Sequence, residues 1–127
     1  MVVLDACVLI AFFGDDAHTA KAADLLDSQD GLMLHPLTLA ECAVGAFRSD
    51  QAAVFRQSIQ RLGIRVWTPD HEHWYRVAQL VASTHLKPPD CCVLDTARAL
   101  AASLATFDVQ LARVARSLGL PVEDGAA

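Results

Sequence analysis

Four acidic residues stand in apolar surroundings, where a carboxylate is unexpected unless it has a chemical task. They are Asp5 in VVLD, Glu41 in LTLAEC, Asp90 between PP and CCVL, and Asp108 in LATFD. In one shared cleft they would repel one another and not all stay ionised, and a divalent cation removes that conflict. Oxygen ligands without histidine or cysteine favour Mg²⁺ or Mn²⁺ over Zn²⁺. Such a site suits phosphodiester hydrolysis, in which a metal-activated water attacks phosphorus.

Each acid taken alone also has a plainer explanation, because aspartate is a common helix cap and turn residue. That explanation fits Asp90 and Asp108, which both stand where a helix is predicted to begin. It does not fit Glu41, since no capping role explains an acid between LTLA and CAVG. From periodicity alone, the shared metal site and the separate caps both remain open.

The elements that would position these acids alternate between short apolar strands and helices. Strands are predicted at 2–4, 32–34, 64–67, 104–106 and 121–122. The first is a continuous apolar run of the kind buried on both faces of a parallel sheet, and the third alternates between apolar and polar residues. Helices are predicted at 6–13, 18–28, 36–47, from a cap at Asp50 to Leu62, from a cap at Asp70 to the residues before Pro88, from Asp90 to Leu100, and after Asp108. The alternation predicts one α/β domain over residues 1–127.

This topology brings the acids together in principle. In open α/β sheets, ligands bind at the carboxyl ends of the strands. Asp5 and Asp108 close the first and fourth strands, Asp90 begins a helix, and Glu41 reaches the same edge from the helix after the second strand. On the two capped helices, Val54 and Trp74 are predicted to face inward with the other apolar residues of their stripes.

Composition limits the classes of function. The 127 residues are 54% hydrophobic with a formal net charge of −5, which argues against a nucleic-acid binder with a bulk basic surface. The eight arginines can still form a local phosphate-binding rim. No apolar run approaches the roughly 18 residues of a membrane span, and the opening residues lack a charged leader region, so a cytoplasmic protein is expected. The four cysteines lack C-x-x-C spacing and are expected to be small buried residues rather than zinc ligands.

Taken in order, four segments resemble the PIN domain, and most closely the small bacterial toxin ribonucleases of the VapC type. VVLDACVLIAFF resembles the opening strand with its first aspartate, and LTLAECAVG resembles the Thr-x-x-Glu helix. PPDCCVLDTA resembles the segment that begins with the third acid, and LATFDVQLARVARSLGL resembles the closing Thr-x-Asp element. Each motif alone is weak, but the four together span nearly the whole chain.

The resemblance implies a three-layer α/β/α sandwich around a four- to five-stranded parallel sheet. It implies that Asp5, Glu41, Asp90 and Asp108 are catalytic metal ligands for Mg²⁺, with Mn²⁺ as a substitute. It further implies endonucleolytic cleavage of RNA, a role as the toxin of a type II toxin–antitoxin pair, inhibition by a cognate antitoxin, and a homodimer. Thr106 matches the hydroxyl that many members carry two residues before the last acid, where it would orient a carboxylate or a water.

Two residues depart from the family pattern. Cys7 stands where serine, threonine or asparagine is common, which puts a polar role at that position in doubt. Asp95 follows Asp90 by five residues, about 140° around a helix, and is therefore expected to point away from the site and pair with an arginine. His71 and His73 do not form a ligand pair on a helix, because residues i and i+2 face different directions. His35 is expected to be structural or exposed.

Two other classes of function remain open. A phosphatase of the haloacid type would phosphorylate a strand-ending aspartate, but it requires D-x-D and here Cys7 takes the second position. A non-catalytic module would use the acids as caps and its surface to bind a protein. In the toxin reading, an antitoxin is expected to insert an arginine or lysine among the acids. The rest of its segment would lie in an apolar groove formed by Val8, Leu9, Phe12, Leu39, Val44 and Phe47.

Overall fold

The first apolar run of the chain forms the central strand of a five-stranded sheet in the computed structural model. The structure describes residues 1–28 and 31–125; the predicted single domain also includes 29–30 and 126–127, which lie outside the described residues. The strands are β1 (Val2–Leu4), β2 (Leu32–Leu34), β3 (Arg65–Val66), β4 (Ser103–Ala105) and β5 (Val122–Glu123). All neighbouring pairs are parallel, in the order β3-β2-β1-β4-β5. Their carboxyl ends therefore meet at one edge of the sheet.

Seven helices connect the strands within the described residues. They are α1 (Ala6–Phe13), α2 (Thr19–Ser28), α3 (Pro36–Arg48), α4 (Ala52–Arg61), α5 (His73–Thr84), α6 (Pro88–Ala99) and α7 (Val109–Ser117). Proline occupies the first turn of both α3 and α6, where its missing N–H costs no hydrogen bond. In the part of the chain that the structure describes, no helix is long and apolar enough to cross a membrane.

The sheet separates two apolar cores, because successive strand residues point to opposite faces. Val2 and Leu4 pack on one face with residues of α1, α2 and α4. Val3 packs on the other face with residues of α5, α6 and α7. The predicted α/β/α sandwich around a parallel sheet is therefore confirmed, and both faces of its central strand are buried against apolar side chains.

Two predicted helix caps are wrong. Asp50 has a left-handed backbone with φ of 57°, and α4 begins after Gln51 without a side-chain cap. Asp70 lies before Glu72, the residue that precedes α5, and its carboxylate binds Arg76 and the Glu72 N–H instead. In both places the helix begins later than the nearest aspartate, so the carboxylate is free for other partners.

Two predicted core residues are exposed. Trp74 is 67% exposed and Val54 is 62% exposed, whereas Leu80 and Ile59 on the same two helices are buried. Trp74 shares a helical stripe with Val77, but it lies in the first turn of α5, where that stripe lines an open groove. Periodicity identifies the apolar face of a helix without showing how far the rest of the protein covers it.

Candidate active site at the carboxyl edge of the sheet

Asp5 lies at the centre of this edge, directly after β1. Its backbone N–H donates to Ala105 O at 2.9 Å, which continues the ladder between β1 and β4. Its Oδ1 accepts the N–H of Ala6 at 2.9 Å, so that Asp5 caps α1. Its Oδ2 accepts the hydroxyl of Thr106 at 2.8 Å and the thiol of Cys7 at 3.1 Å. The carboxylate is therefore fixed in direction before any ligand reaches it.

Thr106 and Asp108 lie beside Asp5, just after β4. The fully buried Thr106 hydroxyl donates to Asp5 and accepts the N–H of Asp108 at 3.0 Å. Asp108 caps α7 as predicted, since its Oδ1 accepts the N–H of Leu111 at 3.0 Å. One hydroxyl thus connects the first and last acids of the sequence, and it orients the Asp5 carboxylate.

Cys7 has the polar role that the family comparison put in doubt. Its Sγ donates to Asp5 Oδ2 and accepts the N–H of Phe107 at 3.3 Å. Burial, and then the charge of Asp5, raise the pKa of the Cys7 thiol to about 11. The thiol is therefore neutral near pH 7, and it serves Asp5 as a hydrogen-bond donor in the way that a hydroxyl does.

Asp90 approaches from α6, where it occupies the first turn rather than the cap. Burial raises the pKa of Asp90, and the negative charges of Asp5 and Asp108 raise it further. Lys87 opposes this change, and Glu41 adds a smaller increase. The carboxylate thus lies in a field made by the other three acids.

Glu41 lies on α3 with its side chain exposed. Burial raises the pKa of the neighbouring Cys42 thiol to about 12, and the charges of Glu41 and Asp5 contribute in that order. The same two acids act on Asp90, so the charge of Glu41 reaches the carboxyl edge of the sheet. Glu41 and Asp108 are the exposed members of the set, whereas Asp5 is buried and Asp90 is half-buried.

The structure thus places all four predicted acids around one edge of the sheet, which we call the acidic cluster (Asp5, Glu41, Asp90 and Asp108). In the described part of the chain, no three of them bring carboxylate oxygens within 4.8 Å of one another. The cluster is open rather than closed. An open ring of oxygen ligands leaves room for water and substrate oxygens, which Mg²⁺ usually keeps in its coordination shell.

A second polar cluster beside the first was missed by the sequence analysis. His35 follows β2 and is 6% exposed, and its Nε2 lies 2.9 Å from Nε2 of His73. His73 Nδ1 lies 2.6 Å from Asp95 Oδ2, and Arg76 donates to both oxygens of Asp95. The expectation that Asp95 leaves the acidic site and pairs with an arginine is confirmed. The available signal was the position of His35 at a strand end, the same edge that carries Asp5.

The predicted apolar groove has different walls from those expected. Val8 and Leu9 are fully buried in the core and offer nothing to a partner. A groove of about 320 Å³ does lie between α1, α3 and α4, and its exposed apolar residues are Ile10, Phe13 and Val54. We call it the helical groove. The other members of the predicted set are the half-buried Phe12 and Leu39 and the exposed Val44 and Phe47.

Two of the arginines predicted for a phosphate-binding rim already bind carboxylates. Arg76 binds both Asp70 and Asp95, and Arg116 donates to Asp124 at 2.8 Å. The Arg76 hydrogen bonds lower the pKa of Asp70 to about 2, which keeps that exposed carboxylate ionised. These two guanidinium groups therefore stabilise α5 and the chain end rather than line the acidic cluster.

Comparison with known proteins gives the same architecture. The model of the PIN domain matches residues 2–117 of this chain. No curated protein matches the sequence. A toxin–antitoxin complex from Klebsiella pneumoniae superposes with a TM-score of 0.76 at 22% identity, over 85% of this chain and 87% of that chain.

Two further solved structures are similar over nearly their full lengths. VapC20 of Mycobacterium tuberculosis, a toxin that cleaves the sarcin–ricin loop, superposes with a TM-score of 0.73 at 15% identity, over 90% of this chain and 95% of that chain. VapBC-1 from nontypeable Haemophilus influenzae superposes with a TM-score of 0.75 at 20% identity, over 98% of each chain. At these identities the likeness shows a shared fold.

Proposed function

This chain belongs to the PIN domain family, and we propose that it is a metal-dependent endoribonuclease, the toxin of a type II toxin–antitoxin pair. The observation that carries the proposal is the convergence of Asp5, Glu41, Asp90 and Asp108 at one edge of the sheet, where their charges act on Asp90. The structural relatives support it, since they include toxin–antitoxin complexes and one toxin that cleaves RNA.

The donor atoms of the acidic cluster fit a hard divalent cation. All four are carboxylates. Burial, and then repulsion from the other acids, raise the pKa of Asp90, and a bound cation would offset both effects. Mg²⁺ suits oxygen ligands with several retained waters, and Mn²⁺ accepts the same set. When bound, such an ion supplies an activated water and charge stabilisation for the scissile phosphate.

The residues of the chain prepare this site. Thr106 and Cys7 hold one oxygen of Asp5, and the Ala6 N–H holds the other. The Leu111 N–H fixes one oxygen of Asp108 in the same way. Because these donors belong to strand ends and helix starts, the ligands need little reorganisation when substrate binds. Burial and the charges of the other acids raise the pKa of Asp90, and a bound cation would favour its ionised form.

The experiment that tests this function is cleavage of an RNA panel by the purified protein with Mg²⁺, with Mn²⁺ and with a chelator. We expect internal cleavage that requires the cation. Attack by water breaks the bond from phosphorus to the leaving ribose oxygen without using the 2′-hydroxyl, so no 2′,3′-cyclic phosphate should form. Cleavage that persists in the chelator, or that yields cyclic phosphate ends, would contradict the proposed chemistry.

We further propose that the partner is an antitoxin that covers both the helical groove and the acidic cluster. The groove offers Ile10, Phe13 and Val54 to an amphipathic helix. The acids next to it suit an arginine, which binds carboxylates through paired hydrogen bonds. For a candidate antitoxin measured by calorimetry, excess Mg²⁺ and Glu41→Gln should each weaken binding modestly, and Phe13→Asp should weaken it strongly. Affinity unchanged by all three would place the partner elsewhere.

A further inference from the structure

Three side chains outside the acidic cluster bring together the ligand types that soft and borderline metal ions prefer. One ring nitrogen each of His35 and His73 and Sγ of Cys92 all lie within 4.8 Å of one another, and the two Nε2 atoms are 2.9 Å apart. They come from three separate elements: the residue after β2, the first residue of α5, and the middle of α6. We propose that His35, His73 and Cys92, which we call the His–Cys cluster, form a second cation site for a borderline ion such as Zn²⁺.

The ligand chemistry separates this site from the acidic cluster. Imidazole nitrogen and thiolate sulfur are the ligands that Zn²⁺ takes most often in proteins, and three such ligands leave the fourth tetrahedral position for water or another ligand. Mg²⁺ prefers oxygen ligands and binds imidazole and thiolate weakly. The protein thus offers a hard site and a softer site at neighbouring places. The proposal is independent of the ribonuclease activity.

A buried carboxylate orients one of the two histidines. Asp95 is 1% exposed and accepts the Nδ1–H of His73 at 2.6 Å. Arg76 holds Asp95 in turn, through contacts of 2.8 and 3.0 Å to its two oxygens. A carboxylate on the far nitrogen of a metal-bound histidine is the usual outer contact of zinc sites, since it fixes the tautomer and raises ligand basicity. It leaves the His73 Nε2 lone pair directed at His35 and Cys92.

The other histidine sets the proton balance of binding. Nδ1 of His35 accepts the N–H of Leu37 at 2.9 Å, so the ring hydrogen lies on Nε2 and is shared with His73. For Nε2 of His35 to bind an ion, this hydrogen would move to Nδ1, in place of the contact with the Leu37 N–H, and binding would release one proton, from the thiol of Cys92. Burial lowers the pKa of His35 to about 4, so the ring is already neutral and no second proton has to leave at neutral pH. This requirement favours a strong Lewis acid such as Zn²⁺ over weakly binding ions.

The His–Cys cluster is open to solvent, and its residues adjoin helices that carry acids of the acidic cluster. The three ligands line a surface groove of about 630 Å³, whose other walls are mostly apolar and include Trp74 and Val77. The groove gives an ion a path and leaves space for a fourth ligand. His35 also caps α3, which carries Glu41, and Cys92 lies two residues after Asp90 on α6. An ion bound here would fasten together two helices that carry acids of the other site.

Cobalt is the probe that tests the site, because Co²⁺ takes the coordination of Zn²⁺ and absorbs visible light. The reduced wild-type protein is titrated with Co²⁺ in excess Mg²⁺, which occupies the acidic cluster. We expect one Co²⁺ per chain with tetrahedral bands and a thiolate-to-cobalt charge-transfer band, both bleached by one equivalent of Zn²⁺. Cys92→Ser should lose the charge-transfer band, and His73→Gln should weaken Co²⁺ binding at least tenfold.

Two control variants make the outcome specific. Cys42→Ser changes another half-buried cysteine that does not line the cluster, and it should keep the cobalt spectrum. Asp5→Asn removes an acid of the other site and should also keep it, so that failure of the ribonuclease proposal leaves this test unaffected. A wild-type protein without a thiolate band, whatever the variants do, would overturn the proposal. A band that survives in Cys92→Ser would overturn the assignment of its ligand.

Discussion

The carboxylate of Asp5 accepts three hydrogen bonds from its own chain, from the Ala6 N–H, the Cys7 thiol and the Thr106 hydroxyl. Such donors fix the direction of the carboxylate, so this acid is a rigid ligand rather than a flexible surface group. Thr106 does most to connect the site, since its oxygen also accepts the N–H of Asp108. A substitution of Thr106 therefore tests directly whether the orientation of the Asp5 carboxylate matters for activity.

Thr106→Val removes the hydroxyl and keeps the shape of the side chain. We expect the fold to survive with a loss of about 1–3 kcal/mol in the free energy of unfolding, because a buried N–H and a carboxylate each lose a partner. Metal-dependent RNA cleavage should fall about 10- to 100-fold, as is usual when an outer contact of a metal ligand is removed. Urea unfolding and cleavage rates check both effects.

The matched control is Thr96→Val, which changes a fully buried threonine whose hydroxyl donates only to Cys92 O, in its own helix. It should cost some stability and leave cleavage nearly unchanged. Equal losses of activity in the two variants would show that general destabilisation, and not the orientation of Asp5, explains the effect.

Asp90→Asn tests the electrostatic field of the acidic cluster. The folded protein holds a proton at Asp90 more readily than the unfolded chain does, so the ionised side chain destabilises the fold at neutral pH. Without divalent cations, the variant should therefore be more stable than the wild type near pH 7. This advantage should shrink as the pH falls and Asp90 becomes protonated. Saturating Mg²⁺ should stabilise the wild type more than the variant, because ligand binding adds to the free energy of unfolding.

Chemical unfolding between pH 4 and pH 8 measures these differences, with Asp24→Asn on the exposed side of α2 as the control for the loss of one negative charge. An Asp90→Asn protein that is less stable than the wild type at pH 7 without metal would show that burial and repulsion together do not make the ionised Asp90 unfavourable for the fold. Asp95 is unsuited as a control, because its buried carboxylate binds Arg76 and His73.

At the scale of single residues, the sequence predicts acids at strand ends but not contacts between distant side chains. Asp5 and Asp108 follow apolar runs, and the position of a strand end is a local property. The contact between His35 and His73 joins residues 38 positions apart. The contact depends on the path of residues 67–72 and on how α5 packs against α6. Local periodicity predicts neither of these features.

The end of α6 shows how element boundaries store strain. Leu100 ends the helix and Ala101 follows with φ of 50°, a left-handed conformation that is costly for an L-residue with a side chain. Ala101→Gly should therefore raise the free energy of unfolding by about 0.5–1 kcal/mol, since glycine adopts this conformation freely. Thermal and urea unfolding measure the change.

The same substitution two residues earlier should have the opposite sign. Ala99 is also exposed but is the last residue of α6, where its helical backbone makes glycine less favourable than alanine by up to about 1 kcal/mol. Two variants with the same sign would contradict the backbone geometry at the end of this helix.

At the scale of elements, all five strands and all seven helices of the described residues have a counterpart in the sequence prediction. The residues at which the helices begin are predicted less well. The cap at Asp108 is confirmed because the helix begins at the next residue. The caps at Asp50 and Asp70 are wrong because α4 and α5 begin two and three residues later. An aspartate before an apolar stripe indicates a turn, but the helix can begin at any of several residues after that turn.

The whole molecule exposes more large apolar side chains than one small core accounts for. Phe47 is 73% exposed, Trp74 67%, Val54 62% and Ile10 57%. Exposed apolar groups of this size on several helices indicate surfaces that bind other chains. An antitoxin on the helical groove would cover Ile10 and Val54. It would leave Trp74 exposed, because Trp74 lies on α5. We expect a second copy of the chain to bind at Trp74.

We therefore predict a homodimer at micromolar concentration, because burial of these side chains favours association. Sedimentation velocity of the purified protein measures it directly. Trp74→Asp should shift the equilibrium toward monomer, and Arg113→Asp, at an exposed position of α7, is the control for a change of charge. A wild-type protein that sediments as a monomer at all concentrations tested would exclude the dimer.

The central claim is that four carboxylates from four parts of the chain hold the cation that cleaves RNA. The most direct measurement is the Mg²⁺-dependent cleavage rate of one RNA substrate by the wild type, Asp5→Asn, Asp90→Asn and the Asp24→Asn control, each shown to be folded by circular dichroism. We predict wild-type rates for Asp24→Asn and a loss of at least 100-fold for the other two, since each loses an anionic ligand that substrate cannot replace. Wild-type rates in both Asp5→Asn and Asp90→Asn would contradict the account.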